Sequence, residues 1–438
     1  MAYRPSALNS VVCANTSDRK TLGPFYLQTV VGNALALTLG AGISQVLMAG
    51  SVLLVARQVG AERFGVYAAA FNTAVLASIL FNLGLDTWLL RSGARAPQQL
   101  GSLLGVAIAI KLFVGVLWLG GMVTILPCLN PGIFQPQLVW VSALVIWVES
   151  LYIVGLSAFK AMLRNQVTAL VLVGSRGGLL LLTILLALVD VREAMPYAWA
   201  RLAIALASVL ITASFLPVKL KRPLLAHVTQ AGRESLPFAL SDLFTSIYVQ
   251  ADTTIAALTL TPEAVGLYAP ASSLIYALSV IPSSWYSVLI PALIRALERR
   301  RMSIKKLFGL SIVSLSGIGI ALWVGLLCVA DLLPSYLLGN SYEETGSLLA
   351  ILSPLLFLKS YSFALAAILV AVGWQSRRMY VQAIAAFTNV VLNLAVIYKF
   401  GITGVAIVYV VSEFLLTIGY LALVFRWLQR SELSSEAG

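Results

Sequence analysis

GAERFGVYAAA, residues 60–70, returns at residues 261–271 as TPEAVGLYAPA. Five of the eleven positions match: Glu62 with Glu263, Gly65 with Gly266, Tyr67 with Tyr268, Ala68 with Ala269 and Ala70 with Ala271. A long apolar run precedes each copy and another follows it, so each copy reads as the turn of a hydrophobic helical hairpin. Thr261 suits a helix N-cap and Pro262 the first helical position, and Glu62 and Glu263 stand in a first turn, where the helix dipole favours a carboxylate. Gly65 and Gly266 let two helices approach closely just past the turn. The chain therefore divides into two halves of about 200 residues.

Composition sets the class. Hydrophobic residues make up 60% and charged residues 11%, with a mean hydropathy of +0.94, whereas soluble domains carry roughly 25% charged residues. Apolar runs of 20 or more residues recur, each long enough as a helix to cross a hydrocarbon layer of about 30 Å. Strand-like alternation over about ten residues does not recur, which excludes an outer-membrane barrel. The expected fold is all-α and polytopic: twelve transmembrane helices, in two pseudo-twofold-related six-helix lobes around a central cavity. The spans are expected at 29–55, 65–90, 100–125, 137–159, 165–189, 195–218, 236–259, 264–290, 306–330, 346–372, 378–398 and 402–425. The corresponding organisation is a cytosolic tail 1–28, an N-lobe 29–218, a linker 219–235, a C-lobe 236–426 and a cytosolic tail 427–438. The polar first 27 residues read as that tail and not as a cleaved signal peptide.

Charge gives the orientation. With both termini cytosolic, the tails and the loops after even-numbered spans hold 21 basic residues, against Arg57, Arg63, Arg192 and Lys399 on the other face. This positive-inside asymmetry accounts for most of the net charge of +12 without nucleic acid. The 21 include Arg377 and Arg378 and the arginine run 299–301, which reads as a solvated anchor ahead of a site for anionic lipid head groups. Six spans per half give both halves the same orientation, hence a twofold along the membrane normal.

Enzyme classes fall away by count. One histidine, His227, excludes His-based metal sites and Ser-His relays; Cys13, Cys128 and Cys328 have no paired spacing; and a phosphate-cradling GxxxxGK[ST] loop is absent. No cofactor, metal or catalytic set is expected. The informative residues are the charges inside spans, each costing roughly 2.5–3.5 kcal/mol at the bilayer centre unless it has a partner or a cavity. Lys111, Glu149, Arg176, Lys359 and Glu413 fall near mid-depth, Asp86 and Asp242 toward the cytosol, and Arg201 and Asp252 toward the outside. Internal pairing of Lys111 with Glu149 and of Lys359 with Glu413 leaves Arg176 without a deep carboxylate. The shallower Asp86, Asp242, Asp252 and Arg201 are expected to snorkel. Prolines 282, 291 and 354 are expected to kink their spans. Tyr152, Trp285, Tyr286 and Tyr361 read as packing or interface residues ahead of sugar platforms.

ARQVGAERFGVYAAA (56–70) with GLDTWLLR (84–91), QADTTIAALTLTPEAVGLYAPA (250–271), LLGNSYEETGSLLAILSP (337–354) and YKFGITGVAIVYVVSE (398–413) resemble the corresponding stretches of bacterial polysaccharide flippases. These are the Wzx-type exporters of the MATE-like superfamily, and the resemblance covers nearly the whole chain. It implies translocation of an undecaprenyl-pyrophosphate-linked oligosaccharide across the bacterial inner membrane by alternating access, for O-antigen, capsule or exopolysaccharide assembly. The implied partners are that lipid-linked oligosaccharide, the bilayer, a coupling ion (H+ or Na+) and other polysaccharide-assembly proteins. The candidate substrate-binding residues, chosen by burial and charge, are Arg176, Lys111, Lys359, Glu149, Asp242 and Glu413. Arg176 is the cation expected to meet the pyrophosphate, with a forked guanidinium suited to phosphate oxygens. Three other readings stay open: a drug or cation antiporter of the same superfamily, a peptidoglycan-precursor flippase, and a membrane polysaccharide polymerase or ligase.

Overall fold

Backbone amides in a bilayer have no water to bond, so spanning segments close their hydrogen bonds within themselves. The computed structural model, which describes residues 24–216, 225–299 and 304–436, is helical throughout, with no strand among the described residues. In the first half, helices α1 (Pro24–Val59), α2 (Ala61–Ala77), α3 (Ile79–Asn82), α4 (Leu85–Arg95), α5 (Leu100–Leu129), α6 (Pro136–Ala161), α7 (Asn165–Leu188) and α8 (Ala194–Phe215) follow one another. The second half holds α9 (Leu225–Thr259), α10 (Pro262–Arg299), α11 (Ile304–Val329), α12 (Leu332–Leu338), α13 (Glu343–Leu352), α14 (Pro354–Ala371) and α15 (Gln375–Glu436).

Ten of the described segments are long and apolar enough to cross a membrane, and one of these, 375–430, turns back at Gly401 (φ 55°, ψ −142°) and supplies two crossings. Helix α9 is not among them, because Asp242, Gln250 and Asp252 lie within the part expected to span. Two expected spans are broken: the second into α2, α3 and α4 through left-handed Leu83 and Gly84, the tenth into α13 and α14 at Pro354. Residues 225–235, expected in a linker, form the first turns of α9, and 427–436, expected as a tail, continue α15. The expected tail as far as residue 23, residues 217–218 at the end of the expected N-lobe, linker residues 219–224 and residues 300–303 of the arginine-rich loop lie outside the described residues, as does Cys13; Cys128 and Cys328 are free thiols.

The internal echo marks where the halves meet. A Cβ placed on Gly65 would collide with the Pro262 carbonyl, and one on Gly266 with the Ala61 carbonyl. The first turns of α2 and α10 thus cross backbone to backbone about a shared twofold. Asn130 Nδ2 donates to Ala257 O at 3.2 Å, and Tyr342 Oη, fully buried, donates to Ala56 O at 2.7 Å. Burial raises the Tyr342 phenol above its ordinary range, so it stays a donor. These contacts seal the end that carries the hairpin turns. At the opposite end, rich in Lys and Arg, Trp88 Nε1 on α4 donates to Glu234 Oε2 on α9 at 3.0 Å.

The twofold extends further. Helices α6 and α14 end in the same left-handed turn, Leu163 (φ 58°) in one and Gly373 (φ 77°) in the other, 210 residues apart. Arg164 N donates to Phe159 O at 2.9 Å and Trp374 N to Leu369 O at 2.8 Å, the same closing bond in both.

Candidate substrate cavity

Between the lobes lies a cavity of about 830 Å³, within the size range of ligand sites. Its walls come from α1 and α2 on one side and α9, α10, α14 and α15 on the other. The second-half wall is the more polar. From α10 it takes Ser272, Tyr276, Ser279, Ser283 and Ser287, and from α15 Arg378 and Gln382. The first set recurs every three or four residues and so forms one stripe along its helix; Asn389 and Asn393 continue the face that begins with Arg378 and Gln382. That periodicity of hydroxyl and amide groups was the sequence signal for this wall, and a search restricted to charges passes over it.

Of the six candidate residues, Lys359 and Glu413 line the cavity. Lys359 Nζ lies 3.2 Å from Glu413 Oε2, as expected, and Ser362 Oγ donates to Glu413 Oε1 at 3.1 Å. The ammonium also stands 5.1 Å from the Tyr409 ring centre and 5.8 Å from that of Tyr276, close enough for cation–π attraction. Behind it Tyr276 Oη donates to Val249 O at 2.7 Å and sits 2.9 Å from Tyr409 Oη. Deeper in the lobe, Asn393 Nδ2 donates to Asp252 Oδ1 at 2.7 Å, and Asp252 Oδ2 and Asn393 Oδ1 have no partner among the described residues.

Arg176, Glu149, Lys111 and Asp242 are not among the residues lining this cavity. The expected pairing of Lys111 with Glu149 is corrected. Lys111 Nζ binds Asp86 at 2.9 and 3.1 Å and the Ser150 carbonyl at 3.2 Å. Lys111 therefore faces the side of α6 where Ser150 stands, and Glu149, one residue earlier and turned by about 100°, points to α7 and α8. There it takes both arginines: Arg201 Nε at 3.0 Å and Nη2 at 3.2 Å, and Arg176 Nη1 at 3.2 Å. The premise that Arg176 lacks a deep carboxylate fails for the same reason. Arg176 backs the cavity wall, its Nη1 3.6 Å from the sulfur of Met48, a lining residue.

Snorkelling is corrected for two residues. Arg201 is 6% exposed with its guanidinium 4.4 Å from the Phe71 ring centre, and Asp252 is 2% exposed. Both have internal partners, which removes the drive to reach the interface. Asp86 spends its charge on Lys111, whereas Asp242 on α9 is exposed. Among the aromatic residues, Tyr152 is buried, Trp285 is exposed, and Tyr286 reaches the cavity.

The two lobes carry ion pairs at related places with the polarity reversed. Glu149 lies 210 residues before Lys359, the offset that relates Leu163 to Gly373. Each joins the fourth span of its lobe to the sixth, Glu149 through Arg201 and Lys359 through Glu413.

A family profile described as polysaccharide biosynthesis protein matches residues 30–297. No curated protein sequence matches the chain. Among solved structures, the fold is similar to an inward-facing multidrug resistance MATE family transporter of the MOP superfamily, at a TM-score of 0.72 and 17% identity over 90% of this chain and 96% of that one. It is also similar to the lipid II flippase MurJ in an inward closed conformation, at 0.71 and 15% over 89% and 87%. A MOP superfamily transporter from Pyrococcus furiosus Vc1 (DSM3638) aligns at 0.62 and 16% over 91% and 95%.

Proposed function

Because this chain belongs to the polysaccharide biosynthesis protein family, we propose that it moves an undecaprenyl-pyrophosphate-linked oligosaccharide from the cytosolic to the periplasmic leaflet of a bacterial inner membrane. The observation that carries this reading is the cavity between the lobes: about 830 Å³, rich in hydroxyl and amide groups, with cationic side chains on its wall. Hydroxyl and amide stripes suit sugar hydroxyls, cations suit phosphate, and the lipid tail can stay in the bilayer. The 21 to 4 distribution of basic residues supports an orientation with the Gly65 and Gly266 end periplasmic and both termini cytosolic. Alternating access then consists of breaking the contact at Gly65 and Gly266 while the lobes, which already touch at Trp88 and Glu234, close further at the basic end. A drug or cation antiporter is less well served, since the cavity carboxylate Glu413 is already neutralised by Lys359.

Within this reading Lys359 and Glu413 meet the substrate directly, and Arg176 with Glu149 acts through the Met48 wall. H+ or Na+ is the coupling ion, and collapse of its gradient stops transport. In cells lacking the protein, mature surface polysaccharide is lost while the lipid-linked repeat unit accumulates on the cytosolic leaflet, measured by extraction of lipid-linked glycans and by leaflet-selective lectin labelling. Absence of the unit with its glycosyltransferases intact would mean an earlier, synthetic step and would overturn the proposal.

A further inference from the structure

Two arginines stand side by side at the start of α15, and the fold uses them differently. Arg377 is exposed, its guanidinium 3.8 Å from the Trp374 ring centre. That is the behaviour of an interfacial anchor, and the charge asymmetry of the chain accounts for it. Arg378, turned about 100° further around the helix, points inward and lines the cavity. Its Nη1 donates to Tyr286 Oη at 3.0 Å, and the Tyr286 ring packs on Phe363 with centres 5.4 Å apart. Its Nε is buried and has no partner among the described residues. The guanidinium is thus tied by Nη1 alone, its Nε keeps a proton that no described residue accepts, and the side chain stands on the cavity wall. Such an arrangement receives an acceptor with more than one oxygen, because a guanidinium bonds phosphate as a fork.

Depth separates Arg378 from the other cation on the wall. Arg378 is the fourth residue of α15, whereas Lys359 lies twelve residues before the end of α14 at the same face of the molecule. Allowing for the three residues by which Arg378 is itself inside α15, nine residues at 1.5 Å each put Lys359 roughly 13 Å deeper. The phosphates of a lipid lie at the edge of the hydrocarbon layer and not at its centre. An entering lipid phosphate therefore meets the depth of Arg378 first, and Lys359 is already paired with Glu413. One turn on from Arg378, Gln382 faces the same cavity, and Ser283 and Ser287 line it from α10.

We propose that Arg378 is the entry site for the phosphate group of the transported lipid, binding it through the guanidinium edge that Tyr286 leaves open. This rests on the reading of the cavity as the path of a lipid-linked oligosaccharide. The shared chemistry is a phosphate on a lipid, which an isoprenoid pyrophosphate or an ordinary phospholipid could supply, and the proposal commits to the pyrophosphate.

The test uses the purified full-length protein and farnesyl pyrophosphate as probe, with binding read by isothermal titration calorimetry and folding by the melting temperature. Loss of charge-assisted hydrogen bonds predicts affinity weaker by roughly ten- to a hundredfold in Arg378→Ala, partly recovered in Arg378→Lys. Tyr286→Phe, which keeps the arginine, stays near the wild type. Inorganic pyrophosphate competes, and phosphatidylglycerol does not. Wild-type affinity in Arg378→Ala overturns the assignment. So does an equal loss in Tyr286→Phe, which would reduce Arg378 to a tie between α10 and α15, and so does competition by phosphatidylglycerol alone. Failure of the broader reading is separable in cells: a deletion strain that keeps its surface polysaccharide refutes transport whatever Arg378 binds. A deletion strain that strands the lipid-linked unit, beside an Arg378→Ala strain that exports it normally, refutes Arg378 alone.

Discussion

Glu149 shows how one buried residue fixes the interior of a lobe. Three hydrogen bonds from two guanidiniums converge on its carboxylate, joining α6, α7 and α8. Removing one partner of a buried ion pair leaves an uncompensated charge and costs about 3–5 kcal/mol, more than the pair itself contributes. Glu149→Gln strands two guanidiniums. Arg176→Ala instead leaves Glu149 on the forked pair with Arg201 and removes one charged hydrogen bond of roughly 1.5–3 kcal/mol. In detergent, Glu149→Gln should therefore melt well below Arg176→Ala, and Glu149→Gln combined with Arg176→Ala should recover part of the loss. Equal melting temperatures for the two single variants would mean that Arg176 holds Glu149 as strongly as Arg201 does, against the geometry.

At the scale of elements, the first turns of α2 and α10 approach so closely that neither Gly65 nor Gly266 has room for a Cβ. This contact makes the seal, together with the bonds from Tyr342 and Asn130. A transporter must form and break such a contact in every cycle. Gly266→Val places its branched side chain against the Ala61 carbonyl and holds the two helix starts apart. The expected result is transport at background level, with a cysteine at the cavity residue Asn72 labelled faster by an impermeant maleimide added from outside the cell. Unchanged labelling with unchanged transport would show that the seal tolerates a side chain and is not the gate.

Across the whole molecule, the lobes share a backbone plan and differ in charge. Among the described residues that are buried, the first lobe holds Lys111 and Arg201 against Glu149, an excess of one cation. The second holds Lys359 against Glu413 and Asp252, an excess of one anion. The proposed orientation rests on the basic residues outside the spans. Single cysteines at Ser341 and Ser303, in a background without Cys13, Cys128 and Cys328, should label oppositely in intact cells, the first reactive and the second protected. Equal labelling of the two would refute the topology.

The sequence by itself determined the class, the twelve crossings and the relation between the halves. Each of these follows from quantities that run along the chain: apolar length, spacing of basic residues, and the echo of 60–70 at 261–271. Pairing of Lys359 with Glu413 was also legible, because few deep charges were available in that half. What only the tertiary structure decided is rotation about the helix axes. A span apolar on every side carries no polarity that says which way it faces, so Lys111 could be given to Glu149 on depth alone. The packing of α4 beside α5 brought Asp86 to Lys111 and freed Glu149 for the two arginines. The same indeterminacy hid Arg378. Its position at a basic helix end fits an anchor, and only the packing of α15 against α10 turned it, unlike its neighbour Arg377, into the cavity.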